Sequence, residues 1–195
     1  MITFNQITDL QTRIARNGDC LAYKELFTSF YPCLFHFAFS FVKAKQPAEE
    51  IVSDVFIKIW EKRKGLDKIK NLKIYLYIAT KNTSLNYLQK QKRIITDDID
   101  KFTNQLKSVY FNPEQLMITA DMIALIHSAI ENLPSRCKTI FKLVKEDNLK
   151  YKEVAGILNI SEKTVENQLT IALHKIAKTV GFDVRKTIPS SVMGY

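Results

Sequence analysis

The apolar residues of this 195-residue chain recur every three to four positions, and little interrupts the pattern. In "AYKELFTSFYPCLFHFAFSFV", residues 22 to 42, Leu26, Phe30, Leu34, Phe37 and Phe41 fall on one face of a helix. Five Gly and five Pro in the whole chain are too few for the turns of an all-β fold. The spacing therefore predicts an all-α protein. Pro32 is expected to kink the first long helix or divide it in two. Pro47 can open the next, "PAEEIVSDVFIKIWEK", whose Ile51, Val55, Phe56, Ile59 and Trp60 face inward. A further helix, "LKIYLYIATKNTSLNYLQKQKR", places Leu72, Leu76, Ala79 and Thr83 along one strip, with Tyr75 and Tyr87 packing inward.

The pattern divides the chain. Residues 7–93 read as a first helical domain, and 94–117 as a flexible linker that loses periodicity and turns acidic at Asp97, Asp98 and Asp100. Residues 118–180 read as a second, four-helix domain, and 181–195 as a tail. Two small domains suit this length. The longest apolar-rich run, "CLFHFAFSFV" at 33 to 42, is too short to span a bilayer. No basic-then-apolar signal layout opens the chain, so a cytoplasmic protein without membrane insertion is expected. Cys20, Cys33 and Cys137 show no CxxC, and His36, His127 and His174 show no metal-ligand spacing. Without a Gly-rich phosphate loop or a nucleophile motif, neither an enzyme nor a bound metal or cofactor is expected.

The net charge of +9 is concentrated. Lys62 to Arg93 holds ten basic residues and one acidic residue, Asp67, so this segment carries the entire imbalance. Interleaved tyrosines in the same segment favour a polyanion site over a merely solvated face. On the helix 72–92, Lys73, Tyr77, Lys81 and Ser84 form a stripe expected to be exposed, with Asn82 and Asn86 beside it. Phosphates suit the lysines, and unpaired bases suit rings and amides.

"YKEVAGILNISEKTVENQL", residues 151 to 169, reads as two short helices with a tight turn. Val154, Leu158, Ile160 and Val165 lie where a helix-turn-helix needs apolar contacts, and Ala155 is small where the helices cross. Asn159 tolerates the left-handed backbone of the turn, and Ser161 can cap the second helix, with Glu162 favoured by its dipole. With Val165, Leu169, Ala172 and Ile176 inward, Lys163, Asn167, Thr170 and His174 lie outward. Lys can reach guanine, Asn can pair with adenine, and the Thr methyl can touch thymine. Arg136, Lys138 and Lys142 can anchor phosphates.

The order of these parts resembles the extracytoplasmic-function (ECF) subgroup of the bacterial RNA polymerase sigma factors, in the sigma-70 family. The likeness covers roughly residues 15 to 180 and rests on four segments in order: "AYKELFTSFYPCLFHFAFSFV", "AEEIVSDVFIKIWEKR", "YLYIATKNTSLNYLQKQKR" and "IENLPSRCKTIFKLVKEDNLKYKEVAGILNISEKTVENQLTIALHKI". Ser53 stands where the family usually has Gln, and Asn159 where Gly is common. The resemblance implies a protein that binds core RNA polymerase and directs initiation at promoters by reading −10 and −35 elements. Glu50, Ser53, Asp54, Lys58 and Glu61 would dock on the clamp helices of the largest polymerase subunit. The loop 63–71, with Lys64, Lys68, Lys70 and Asn71, would hold a base flipped from the −10 element. Lys73, Tyr77, Lys81, Asn82, Asn86, Lys90 and Arg93 would serve −10 recognition and melting. Lys163, Thr164, Asn167, Thr170 and His174, with Arg136 and Lys138, would read the −35 element. An anti-sigma factor, often membrane-anchored in this family, would restrain the protein, and the linker would run through polymerase channels near the template strand.

Two other classes compete. A helix-turn-helix activator needs a ligand pocket or phosphoacceptor within residues 1–93 and leaves the basic segment unexplained. A helical RNA-binding adaptor accounts for the charge but not for the recognition helix.

Overall fold

A computed structural model of the chain describes residues 2–95 and 120–180, with side chains at 2–91 and 123–180. The expected linker beyond Ile95 and the expected tail lie outside the described residues, as does the side chain of Arg93. Helices α1 (Phe4–Asn17), α2 (Cys20–Val42), α3 (Lys45–Glu61) and α4 (Leu72–Ile95) form the first unit, with a 3-10 turn at Arg63–Lys68 before α4. Helices α5 (Ala120–Glu131), α6 (Ser135–Phe141), α7 (Tyr151–Leu158) and α8 (Glu162–Val180) form the second, with a π-turn at Lys142–Glu146 after α6. Among the described residues there is no strand.

Local chemistry sets the helix ends. Thr3 and Gln6 cap α1 reciprocally, Thr3 N–H donating to Gln6 Oε1 at 2.8 Å and Gln6 N–H to Thr3 Oγ1 at 3.4 Å. Gly18 then adopts φ 60°, where a side chain would be strained, and ends the helix. Asp19 starts α2, accepting the N–H groups of Leu21 and Ala22 at 2.9 and 3.0 Å. Arg13 closes the corner with Nη2 at 2.8 Å from Asp19 Oδ2. Of the two outcomes expected from Pro32, a kink or a division, the division does not occur: α2 runs from Cys20 to Val42 through that residue. Neighbouring turns bury Phe30 and Leu34 firmly enough to override one missing N–H donor. Pro47 falls within the first turn of α3, where its missing donor costs nothing.

The core of the first unit is built on the face of α2 that carries Ala22, Leu26, Phe30, Leu34 and Phe37. Ile51, Val55, Phe56 and Ile59 of α3 are buried as expected, whereas Trp60 is half-buried, ringed by Tyr23 and Arg63. On α4 the buried strip is Leu72, Leu76, Tyr77, Thr80 and Ser84. It is rotated from the expected Leu72, Leu76, Ala79 and Thr83. Thr80 and Ser84 can be buried because their hydroxyls donate back to Leu76 O and Thr80 O, both at 2.8 Å.

The two units pack together. Tyr77 sits edge-on to Phe37 at 5.2 Å, and one hydrophobic cluster continues from it to Ile140, Leu143, Leu149, Val154 and Ile157 of the second unit. Lys73 Nζ donates to the backbone carbonyl of Asp147, at the end of the π-turn. Burial pushes the Tyr77 phenol, the Cys33 thiol and the Asp147 carboxyl above their ordinary pKa ranges and holds His36 below its own.

Two predictions follow from this packing. The Ala22 N–H first, and then Arg13, hold the Asp19 carboxyl below its usual range. Its charge thus contributes stability that is present above about pH 4 and lost as the pH falls through the depressed value. Acid titration of the denaturant midpoint should show that loss, and Asp19→Asn, which keeps an acceptor at the cap, should flatten it. The Tyr77 hydroxyl is buried beside the Cys33 thiol and the Asp147 carboxyl, and among the described residues it makes no well-aligned hydrogen bond. Tyr77→Phe should therefore leave stability unchanged or raise it by up to about 1 kcal/mol in equilibrium unfolding.

Candidate nucleic-acid interface

The basic segment folds into a turn followed by one long helix. Lys64, Lys68 and Lys70 are exposed on the turn, and Lys62 and Gly65 stand beside them. Leu66, 2 % exposed, pins the turn to the core, and Asn71 Oδ1 accepts the Ile74 N–H at 3.1 Å to start α4. Arg63 lies over the Trp60 ring, 4.6 Å from its centroid, while its Nη1 donates to Trp60 O at 2.8 Å. Lysine side chains thus project from a backbone held at both ends.

Helix α4 corrects the expected stripe. Tyr77 and Ser84 are each 0 % exposed, and Lys73 is bound to Asp147 O. The face at Tyr77 is covered because α2 and the second unit meet there, a tertiary contact that the helical period alone cannot show. Lys81 is half-buried, and Asn82, Asn86 and Lys90 are exposed. Tyr75, expected inside, is 39 % exposed, next to Ile78 and Leu85 along the outer face. Tyr87 is half-buried and accepts from Gln91 Nε2 at 2.8 Å. The outward ring on this helix is therefore Tyr75 rather than Tyr77.

On α3, Glu50, Ser53, Asp54, Lys58 and Glu61 are all exposed. Glu50 accepts from Gln46 at 3.1 Å, and Ser53 Oγ donates to Glu49 O at 2.9 Å. A groove between α3 and α4 brings Glu50, Asp54 and Lys58 against Asn86, Tyr87 and Lys90. Carboxylates from one expected surface thus line the same cleft as amides and a lysine from the other.

The second unit turns at Asn159, whose φ of 58° gives the left-handed cap. Ser161 Oγ accepts the Thr164 N–H at 3.1 Å, capping α8. Val154, Ala155 and Val165 are buried at the crossing, and Ile157 joins them, while Leu158 and Ile160 are half-buried. Val165, Leu169 and Ala172 form the inner face of α8. Lys163, Asn167, Thr170 and His174 are exposed on the opposite side, and Thr164 is half-buried. Lys163 pairs with Glu166 at 2.9 Å. Arg136 is exposed, but Lys138 and Lys142 both reach the Glu131 carboxylate, at 3.2 and 3.1 Å. Glu131 neutralises part of the charge expected for phosphates.

Two features of this interface escape helical periodicity. One is Asp147, brought to Lys73 across 74 residues of sequence. The other is Gln11, a polar residue set between Leu10 and Ile14 on the buried face of α1 and bonded to the 63–71 turn. Among the described residues no cluster could hold a metal ion, and no helix is long and apolar enough to cross a membrane.

Two family models match the chain in order: sigma-70 region 2 over residues 26–94, and sigma-70 region 4 over residues 123–176. The chain is 28% identical over 141 residues to RNA polymerase sigma factor SigV of Bacillus subtilis, covering 71% of this chain and 79% of that one. It is 24% identical over 188 residues to the RNA polymerase sigma-H factor of Pseudomonas aeruginosa, covering 92% and 96%. With the ECF RNA polymerase sigma-E factor of Escherichia coli K12 it shares 28% over 142 residues, covering 67% and 72%. The fold is similar to that of the sigma factor RpoE in its complex with the anti-sigma factor NepR from Bartonella quintana, with TM-score 0.58, 22% identity, and coverage of 83% and 98%. It also resembles CnrH in complex with the cytosolic domain of CnrY, with TM-score 0.54, 17% identity, and coverage of 90% and 97%. A region 2 unit whose turn and long helix carry the basic charge, followed by a region 4 unit ending in a helix-turn-helix, makes this chain a member of the sigma-70 family, in its ECF subgroup: a transcription initiation factor that directs RNA polymerase to promoters.

Proposed function

We propose that the two units divide the promoter between them. Residues 7–93 dock on the clamp helices of the largest polymerase subunit through Glu50, Ser53, Asp54, Lys58 and Glu61. The same unit reads and opens the −10 element with the 63–71 turn and α4. Residues 118–180 read the −35 element through Lys163, Thr164, Asn167, Thr170 and His174 of α8. The observation that carries this reading is the outward row on α8, held opposite a fully buried apolar row behind a capped helix-turn-helix. Arg136 is the phosphate anchor best supported by its exposure. On α4, Lys81, Asn82, Asn86 and Lys90 are accessible in the packed chain, whereas Lys73 and Tyr77 serve only once the second unit has moved away. Lys142 and Lys138 would have to leave Glu131 to reach DNA. The linker, 94–117, would then pass near the template strand.

The protein acts in the cytoplasm, where its polymerase is, and an anti-sigma factor holds it inactive. The sigma factor RpoE, which has a similar fold, is found in complex with such a factor, NepR.

Free protein should bind promoter duplex weakly, because duplex melting is costly and the Tyr77 face of α4 is covered. Mixed with core polymerase, it should become promoter-specific in gel-shift and run-off transcription assays. Tight, sequence-specific binding by the isolated chain would favour an activator instead.

The division of labour has a separate check. Asn167→Ala should cost about 1–3 kcal/mol at one base position of the −35 element and leave duplex opening little changed. Lys81→Ala should weaken open-complex formation and its salt dependence while −35 preference stays as it was. A promoter library scored with both variants, alongside permanganate footprinting, reads both effects. A shift in −10 preference by Asn167→Ala as large as its −35 shift would defeat the assignment.

A further inference from the structure

Gln11 belongs to α1, outside the residues matched by the region 2 model, and is only 6 % exposed. It lies between Ile7, Leu10 and Ile14 on the face that packs against the core, where an apolar residue would be the ordinary choice. Its Nε2 donates to two backbone carbonyls of the 63–71 turn, Leu66 O and, at 2.7 Å, Ile69 O. The Leu66 carbonyl also accepts the Ile69 N–H at 3.1 Å.

The residue type is required by this arrangement. A nitrogen that offers two hydrogens without charge is found only in a primary amide. Lys or Arg would bring a charge into the buried site, Asn is shorter by one methylene, and an apolar side chain would strand the Gln11 bonds to both carbonyls. Two accepting carbonyls also fix which end of the carboxamide faces the turn, since its oxygen there would repel both.

The two tie points bracket Asp67 and Lys68, whose side chains are exposed, with Lys64 and Lys70 exposed on either side. Arg63, stacked on Trp60, and Asn71, capping α4, hold the ends of the turn. Between them, Leu66 anchors the turn to the core by burial and Gln11 ties its backbone by hydrogen bonds.

We propose that Gln11 is a positioning residue for −10 base selection, strapping the 63–71 turn into the shape that an extruded base meets. This rests on the reading that the turn holds that base. The strap acts through backbone carbonyls, so Gln11 itself touches no DNA and its loss acts through the turn.

The test uses holoenzyme assembled from core polymerase and the full chain, with a promoter library randomised across the −10 and −35 elements. Gln11→Met, close in length but without donors, should flatten preference at one −10 position by about five- to tenfold and leave the −35 profile unchanged. A uniform fall across all promoters, with the −10 profile intact, would show a purely structural role and overturn the inference. Asp67→Ala and Lys68→Ala, on the exposed part of the turn, separate the two levels. If they alter −10 preference and Gln11→Met does not, the strap fails alone. If none of the three alters it, the turn reading fails and the strap with it. Should Gln11→Met not assemble with core polymerase, Gln11→Asn carries the test, because it keeps both donors at shorter reach. It should give a smaller shift at the same base position, and an unmoved profile overturns the inference.

Discussion

The first unit, and the seam by which the second packs on it, depend on one wall, the apolar side of α2. Leu26, Phe30 and Leu34 close the core against α1 and α3, and Phe37 meets Tyr77 of α4 edge-on at 5.2 Å. Past Tyr77 the same cluster reaches Leu143 and Val154 in the second unit. Burying such aliphatic and aromatic groups contributes roughly 1.5–3 kcal/mol each, far more than any surface ion pair here. The orientation of α4, and hence of its outward Lys90, Asn82 and Asn86, follows from how this wall is filled.

Much of the fold was legible because helical periodicity reports burial directly when one face alone is covered. Helix α8 is such a case. Val165, Leu169 and Ala172 are inside, and Lys163, Asn167, Thr170 and His174 outside, as the spacing predicts. The left-handed Asn159 and the Ser161 cap were equally readable, since each depends on its own residue type and its immediate neighbours.

Helix α4 was read less well, for a physical reason. It is covered on two sides, by its own unit and by the second, and a doubly covered helix has no single apolar stripe. Tyr77 and Ser84 carry polar atoms that suggest solvent. The ring of Tyr77 nonetheless fills a gap beside Phe37, and the Ser84 hydroxyl satisfies itself on Thr80 O. Gln11 is the reverse case. A lone polar residue on an apolar face was the only signal of a bond to residues 66 and 69, and nothing nearby in sequence indicates its partners. Long-range contacts of this kind are set by how helices stack rather than by local pattern.

The ion pair between Lys163 and Glu166 bears on how α8 would meet DNA on the reading proposed for it. The first turns of α8 carry Glu162 and Glu166 against one lysine, so their local charge is slightly negative. A phosphate approaching Lys163 competes with the Glu166 carboxylate, in an exposed pair that holds only weakly. An arrangement of this kind gains little from random DNA, where only counterion release drives attachment. It gains more where base edges can reward the exchange. On the reading proposed for α8, its first turns thus favour contacts to base edges over attachment to phosphates.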